Sequence, residues 1–159
     1  MRAAPAIAVA LLVAACSSLP APPPAPPPGG AAIAQAATAL IGTPYQFGGA
    51  DAAGFDCSGL ARYAHERAGL AIPRTAAEQQ RAAHPVPLGE LAPGDLVFFR
   101  IRSRGINHVG VYAGGGRFIH APRVGLAVRY GDLRSGSFYA RRLVSAGRFW
   151  DGITPPLPP

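Results

Sequence analysis

The hydrophobic pattern of the chain changes period near Pro93, and this change restricts the possible folds more than any other feature. The segments before it have helical character: residues 31–41, residues 57–69, and a shorter helix opened by the capping-box spacing of Thr75 and Glu78. The segments after it have the pattern of strands and are separated by Gly, Pro and Asp residues: 96–100, 107–113, 117–121, 127–130 and 139–144. Helices followed by strands predict an α+β fold, with N-terminal helices packed on an antiparallel sheet of about five strands.

Two proline-rich segments limit the part of the chain that can build a core. Residues 19–30 are mostly proline and alanine, and residues 154–159 are mostly proline. Such segments form extended structure with no apolar face to bury. We therefore predict four parts: a signal peptide over residues 1–15, a tether over 16–30, one folded domain over 31–150 and a tail over 151–159.

The first residues have the pattern of an export signal. Arg2 supplies a positive charge, and residues 7–15 form an apolar run that is shorter than the roughly 20 residues needed to span a bilayer. The run ends at Cys16 after a branched aliphatic residue and two small ones, which resembles the bacterial lipobox. The resemblance implies that Cys16 is acylated and anchors the chain to a membrane, whereas the alternative is an ordinary signal peptide with an incidental cysteine. Ser17 follows the cysteine in place of an aspartate, and resemblance to enterobacterial lipoprotein sorting implies the outer membrane, so we expect an envelope lipoprotein facing the periplasm.

The charge of the chain argues against a nucleic-acid partner. The formal net charge is +7, and all 15 basic residues are arginine. Apart from Arg2, these arginines are scattered between residues 62 and 148, without a basic helix or an aromatic-interleaved stripe of the kind that binds nucleic acid. For an exported domain, anionic lipid or the cell wall is the better counterpart.

Cys57 has the sequence context of a nucleophile. Asp56 is a good N-cap, so Cys57 falls in the first turn of a helix, where free amide groups and the helix dipole stabilise a thiolate. We expect Gly54 and Gly59 to leave room for a substrate backbone. With Cys16 acylated, Cys57 is the only thiol, which is unusual in an oxidising compartment. A capped helix start without catalytic function has the same local sequence, so these residues alone leave both interpretations open.

Two histidines add the base that a nucleophile requires. Residues 114–116 are three glycines, which predict a hairpin turn. If the hairpin is symmetric about the middle glycine, Gly110 lies opposite His120, and His108 is diagonal to His120. Both imidazoles then emerge on one face, and the residues that alternate with them face the core: Val109, Val111 and Ile119.

These three side chains fit a nucleophile, a base and an orienting group. Cys57 would attack a carbonyl, His108 would take its proton or hold the thiolate as an ion pair, and His120 would fix the tautomer of His108. Zinc is the alternative for one cysteine and two histidines, but no carboxylate or second cysteine lies near them in sequence. We therefore expect no metal and no cofactor. His65 and His84 belong to no motif, and we interpret both as surface residues.

Six segments together resemble the NlpC/P60 family of cell-wall peptidases, in order and in spacing. They are residues 42–45 with 48–49, 55–60, 73–75, 91–99, 107–112 and 118–121. The resemblance implies a papain-like α+β fold and hydrolysis of peptidoglycan stem peptides, at the D-glutamyl–diaminopimelate bond or at the diaminopimelate cross-link. It implies catalytic roles for Cys57, His108 and His120, oxyanion or substrate binding by Tyr45, and substrate-groove positions for Asp56, Ser58 and Arg74.

Other interpretations remain open on the sequence alone. Asp56 can be a helix cap and nothing more, and Arg74 can simply pair with a nearby carboxylate such as Glu78. The same site can belong to an acyltransferase or amidase that transfers the acyl group to a lipid or an amine. A non-catalytic lipoprotein that binds wall fragments is a further alternative, which the intact Cys57, His108 and His120 disfavour. Nothing in the sequence requires more than a monomer.

Overall fold

The computed structural model describes residues 29–151 with the exception of residue 103. The expected signal peptide, the acylated Cys16, the tether up to residue 28 and the tail from residue 152 lie outside the described residues. The helices are α1 (Gly30–Thr38), α2 (Cys57–Arg67) and α3 (Ala76–Ala82). The strands are β1 (Ala50–Asp51), β2 (Gly54–Phe55), β3 (His84–Val86), β4 (Leu96–Phe99), β5 (His108–Gly114), β6 (Arg117–His120), β7 (Arg129–Asp132) and β8 (Leu143–Arg148). Short 3-10 turns cover Leu88–Glu90 and Ala140–Arg142.

The strands confirm the α+β prediction. β1 and β2 form a small hairpin, and the other six strands form one antiparallel sheet in the order β3-β8-β4-β5-β6-β7. The sheet thus has six strands where the sequence predicts about five. The additional strand, β3, contains an exposed proline, Pro85, which is tolerated because β3 lies at the edge of the sheet.

Two predicted strands lie elsewhere along the chain. The strand predicted at residues 127–130 runs over Arg129–Asp132, and residues 140–142 form a 3-10 turn instead of a strand. β8 therefore begins only at Leu143. The prediction was wrong there because the buried residues of β8, Ala146 and Gly147, are small and have no strand character.

The sheet is apolar on both faces. On the helix side, α1 and α2 pack against β5, and the core there includes Ile33, Leu60, Phe98, Val109, Val111 and Ile119. Val109, Val111 and Ile119 therefore face the core, which confirms the prediction for this face of the hairpin. A smaller cluster covers the opposite face: Val97, Phe99, Phe118 and Ala146.

The helix ends follow the predicted capping. Asp56 Oδ1 accepts a hydrogen bond of 2.7 Å from the Gly59 amide, which caps α2. Thr75 and Glu78 make both hydrogen bonds of the capping box at the start of α3. No helix among the described residues is long and apolar enough to cross a bilayer.

The sequence analysis interpreted His65 as a surface residue, and this interpretation was wrong. It lies on α2, is fully buried and packs edge-to-face on Phe149. Its Nδ1 is 2.8 Å from the Ala61 carbonyl oxygen, to which it donates, and its Nε2 has no hydrogen-bond partner. Burial lowers the pKa of this imidazole to about 4. His84, on the edge strand β3, is half-buried.

A buried carboxylate joins the two ends of the described domain. Asp95 is fully buried and accepts hydrogen bonds from Arg148 Nε at 2.7 Å, Trp150 Nε1 at 3.1 Å and the Ala92 amide at 2.8 Å. Gly30, the first residue of α1, lies directly against the Trp150 indole. The start of the first helix and the end of the last strand are therefore neighbours.

Candidate active site

Cys57 is the first residue of α2, as predicted, and its side chain reaches a cavity of about 690 Å³. The backbone amides of Val109, Ser58 and Cys57 itself form hydrogen bonds to its sulfur that lower the thiol pKa. Burial acts in the opposite direction and dominates, with the neighbouring Asp56 carboxylate adding to it, so that the pKa rises to about 11. The resting side chain is therefore a neutral thiol, although the helix start favoured a thiolate.

The glycines around Cys57 do not leave room for a substrate, contrary to expectation. A Cβ on Gly59 would overlap the carbonyl oxygen of Gly49, and one on Gly54 would lie 2.6 Å from Gln46 Cβ. The preceding loop thus packs directly on the first turn of α2 and holds Cys57 in place.

The β5–β6 hairpin has the predicted register where it carries the histidines. Val111 pairs with Ile119 and Tyr112 with Phe118, a register symmetric about Gly115. A bulge follows between Tyr112 and Gly114. Because the bulge lies on the turn side of these pairs, it does not disturb the strands beyond them.

The two imidazoles are joined directly. His108 Nε2 and His120 Nδ1 are 2.8 Å apart, and the rings meet at an interplanar angle of 83°. Both residues are buried, which lowers the pKa of His108 to about 4 and that of His120 to about 3, the latter also through the charges of His108 and Arg129. With Nε2 engaged, Nδ1 is the nitrogen of His108 that remains for proton transfer at the cavity.

Aromatic rings hold the histidine pair from the face of the sheet away from the helices. Tyr139 stacks on His108 at 6.1 Å and meets His120 edge-on at 4.8 Å. Phe118 lies 4.9 Å from His120, and a Cβ on Gly110 would overlap its ring. The sequence analysis missed Tyr139 because it assigned this residue to a strand. A tyrosine next to an arginine-rich segment carries no signal of its own.

The cavity brings Cys57 and His108 together with Tyr45, as the resemblance implied. Its wall also includes residues that the sequence analysis did not identify: Arg102, Asn107, Arg123, Phe138, Tyr139 and Arg142. They come from three segments that are far apart in sequence, so no local motif connects them. His120 opens instead on a neighbouring cavity of about 430 Å³, beyond Phe138 and Tyr139.

Asp56, Ser58 and Arg74 form a separate cluster beside the start of α2. Arg74 Nη2 is 2.7 Å from Asp56 Oδ2, and its Nη1 is 3.0 Å from both Asp56 Oδ1 and Ser58 Oγ. Although burial would raise the pKa of Asp56, the Arg74 guanidinium and the Gly59 amide lower it overall. Glu78 binds Thr75, so Arg74 pairs with the cap and not with Glu78. None of the three lines the cavity that holds Cys57.

The described residues do not form a typical metal site. Within 29–102 and 104–151, no three His, Cys, Asp or Glu side chains come together in a group that could hold an ion.

Comparison with known proteins gives consistent matches. A model of the NlpC/P60 family matches residues 42–148. The chain is 47% identical over 113 residues to murein DD-endopeptidase MepH of Escherichia coli K12, which covers 68% of this chain and 41% of MepH. It is 43% identical over 110 residues to the bifunctional muramidase/DL-endopeptidase CwlT of Bacillus subtilis, and this match covers 67% of this chain and 32% of CwlT. The crystal structure of an NlpC/P60 family protein from Bacillus cereus superposes with a TM-score of 0.73 at 31% identity, over 79% of this chain and 41% of that one. The chain thus spans less than half the length of these relatives.

Proposed function

The chain belongs to the NlpC/P60 family, and from this membership and the geometry of its site we propose that it hydrolyses amide bonds of peptidoglycan stem peptides. The observation that carries the proposal is the joint position of Cys57 and His108 on one cavity, with His108 Nε2 bound to His120. Relatives named as DD- and DL-endopeptidases support the substrate class. The candidate bonds are the D-glutamyl–diaminopimelate bond and the diaminopimelate cross-link.

In the first half-reaction, His108 acts as a general base because the resting thiol is neutral. Nδ1 of His108 takes the thiol proton while the Cys57 sulfur attacks the scissile carbonyl carbon. The amide C–N bond then breaks, and His108 gives the proton to the leaving amine. The acyl group remains on Cys57 as a thioester. The raised pKa of the Cys57 thiol and the lowered pKa of the His108 imidazole leave both groups neutral before the substrate binds, so the proton moves only as the sulfur attacks.

The tetrahedral intermediate needs donors for its oxyanion. The first amides of α2, at Cys57 and Ser58, point at the sulfur, and an oxygen bound to the attacked carbon lies within reach of such donors. Tyr45, on the same wall, supplies a hydroxyl. In the second half-reaction, His108 removes a proton from water as the water oxygen attacks the thioester carbon. The C–S bond then breaks, His108 returns the proton to the Cys57 sulfur, and the acid product leaves.

His120 acts as a positioning residue. A hydrogen bond to Nε2 fixes the ring of His108 and leaves Nδ1 for the cavity that His108 shares with Cys57, a role that an asparagine or carboxylate has in related arrangements. Because Nδ1 of the neutral His108 accepts the proton, Nε2 carries the hydrogen and donates it to His120 Nδ1, and this hydrogen bond becomes charge-assisted when His108 is an imidazolium.

We further propose that the protein is an outer-membrane lipoprotein that faces the periplasm and acts as a monomer. The lipobox pattern that ends at Cys16 supports acylation, and the proline-rich segment after it supports a tether of some tens of ångströms at about 3.1 Å per residue. Labelling of cells with a fatty-acid analogue, with Cys16→Ser as the control, tests the anchor. Label that persists in Cys16→Ser would refute it.

A digest tests the catalytic proposal. The full chain in non-ionic detergent is incubated with purified diaminopimelate-type peptidoglycan, beside Cys57→Ala, and the products are identified by mass. New muropeptides from the native chain alone, with one water added per cut, support hydrolysis and identify the bond. Products that gain an added amine, and no water, indicate acyl transfer instead. No products at any pH between 5 and 9 would leave a binding function as the better interpretation.

A further inference from the structure

Three guanidinium groups surround the mouth of the cavity. Arg102 lies in the loop between β4 and β5, Arg123 in the loop after β6 and Arg142 in the turn before β8, and all three line the cavity with Cys57 and His108. No Asp or Glu side chain of the described residues lines it. A concave surface with cationic side chains and no acid to balance them attracts anions.

Arg142 differs from the other two because contacts within the chain already hold its guanidinium. Its Nη1 donates to the Phe138 carbonyl oxygen at 2.9 Å, and its guanidinium carbon stands 3.7 Å from the centre of the Phe138 ring. Arg102 and Arg123 are exposed, and neither makes an ion pair within residues 29–102 and 104–151. Their donors are therefore available to a ligand.

Both available charges act on side chains next to the reacting groups. Burial raises the pKa of Tyr45, and the positive charge of Arg102 opposes this rise. Burial likewise raises the pKa of Tyr139, and the charges of Arg129 and, to a smaller extent, Arg123 oppose this rise. Because Tyr45 and Tyr139 both stand on the cavity wall, the two guanidinium groups lie within electrostatic reach of the reaction centre.

We propose that Arg102 and Arg123 bind a free carboxylate of the stem peptide beside the scissile amide, so that the site selects acidic stems over amidated ones. This inference rests on the proposed peptidase function and adds the chemical class of substrate. Stem peptides carry such carboxylates on D-isoglutamate and diaminopimelate, and amidation replaces them with neutral carboxamides of nearly the same size. A guanidinium forms two parallel charge-assisted hydrogen bonds with a carboxylate, and a carboxamide offers a single acceptor oxygen.

Two matched muropeptides test the proposal: one with free carboxylates and one in which the isoglutamate and diaminopimelate carboxylates are amidated. Initial rates of the full chain in detergent give kcat and KM for each. Binding of the same compounds to Cys57→Ala, measured by calorimetry, gives a readout independent of cleavage. The variants are Arg102→Gln, Arg123→Gln and the double variant, and Arg81→Gln on the exposed end of α3 is the control with the same change of charge.

The native chain should prefer the free carboxylates by roughly 10- to 100-fold, mainly through KM and affinity, the range for one charge-assisted hydrogen bond. The double variant should lose most of this preference because its rate on the acidic compound falls and its rate on the amidated one does not. Arg81→Gln should keep the preference. Equal use of both compounds by the native chain, or equal losses on both in the double variant, would overturn the carboxylate site and leave the peptidase function intact. Selective binding of the acidic compound without cleavage would support the carboxylate site and refute the peptidase.

Discussion

Replacement of His65 by leucine should make the fold less sensitive to acid. His65 is fully buried, and its pKa is lowered from 6.5 to about 4 by that burial. The unfolded chain accepts a proton on this ring at a higher pH than the folded chain does. The folded state is therefore stabilised only as long as the ring stays neutral.

The size of the effect follows from the shift. A pKa difference between 6.5 and about 4 corresponds to about 3 kcal/mol at 1.36 kcal/mol per unit. Because the folded pKa is the lower one, this contribution is complete above pH 6.5 and is lost as the pH falls toward 4. His108 and His120 shift in the same direction, so the native chain should take up about three protons on unfolding in this window and His65→Leu about two.

Urea unfolding between pH 4.5 and 7.5, followed by the fluorescence of the single tryptophan, Trp150, measures these slopes. The slope of the free energy of unfolding against pH should fall by about one proton in His65→Leu. Arg67→Leu, an exposed change at the end of the same helix, should keep the native slope. Identical slopes in the native chain and in His65→Leu would refute the claim that this ring resists protonation.

Three further outcomes are expected. Alkylation of Cys57 by iodoacetamide should be slow at pH 8 and accelerate toward pH 11, because burial raises its pKa to about 11; a midpoint below that of glutathione, from the mass of the labelled peptide, would contradict this. Gly110→Ala should lower the free energy of unfolding by roughly 1–3 kcal/mol through overpacking, whereas Gly89→Ala, where a methyl group meets open space, should not. Equal urea midpoints for the two variants would count against the packing of the hairpin. Arg148→Met should lower the free energy of unfolding by roughly 3 kcal/mol, because the substitution removes the cation that pairs with the buried Asp95. A loss under about 1 kcal/mol, measured by circular dichroism, would show that this ion pair is dispensable.

Local chemistry explains why parts of the site were accessible from the sequence. An N-cap followed by a cysteine specifies both the start of α2 and the position of Cys57, because the cap acts within one turn. Three consecutive glycines specify the turn, and strand alternation then brings His108 and His120 to one face.

The remaining features depend on contacts between distant segments. Arg102, Arg123 and Arg142 reach one cavity only after three loops have been brought together by the sheet. The burial of His65 results from its packing on Phe149 at the far end of the domain. The neutral state of Cys57 was missed for the same reason, since the helix start is local and the desolvation that outweighs it is not.

The contact between Gly30 and Trp150 has a consequence for how this domain can be combined with others. Because the first helix begins where the last strand ends, chain attached at either end of the described domain departs from nearly the same spot on its surface. Domains with adjacent termini can be appended to, or inserted into, other chains without strain on their own packing. MepH and CwlT are each more than twice as long as the region that matches this chain, which is the setting in which adjacent termini matter.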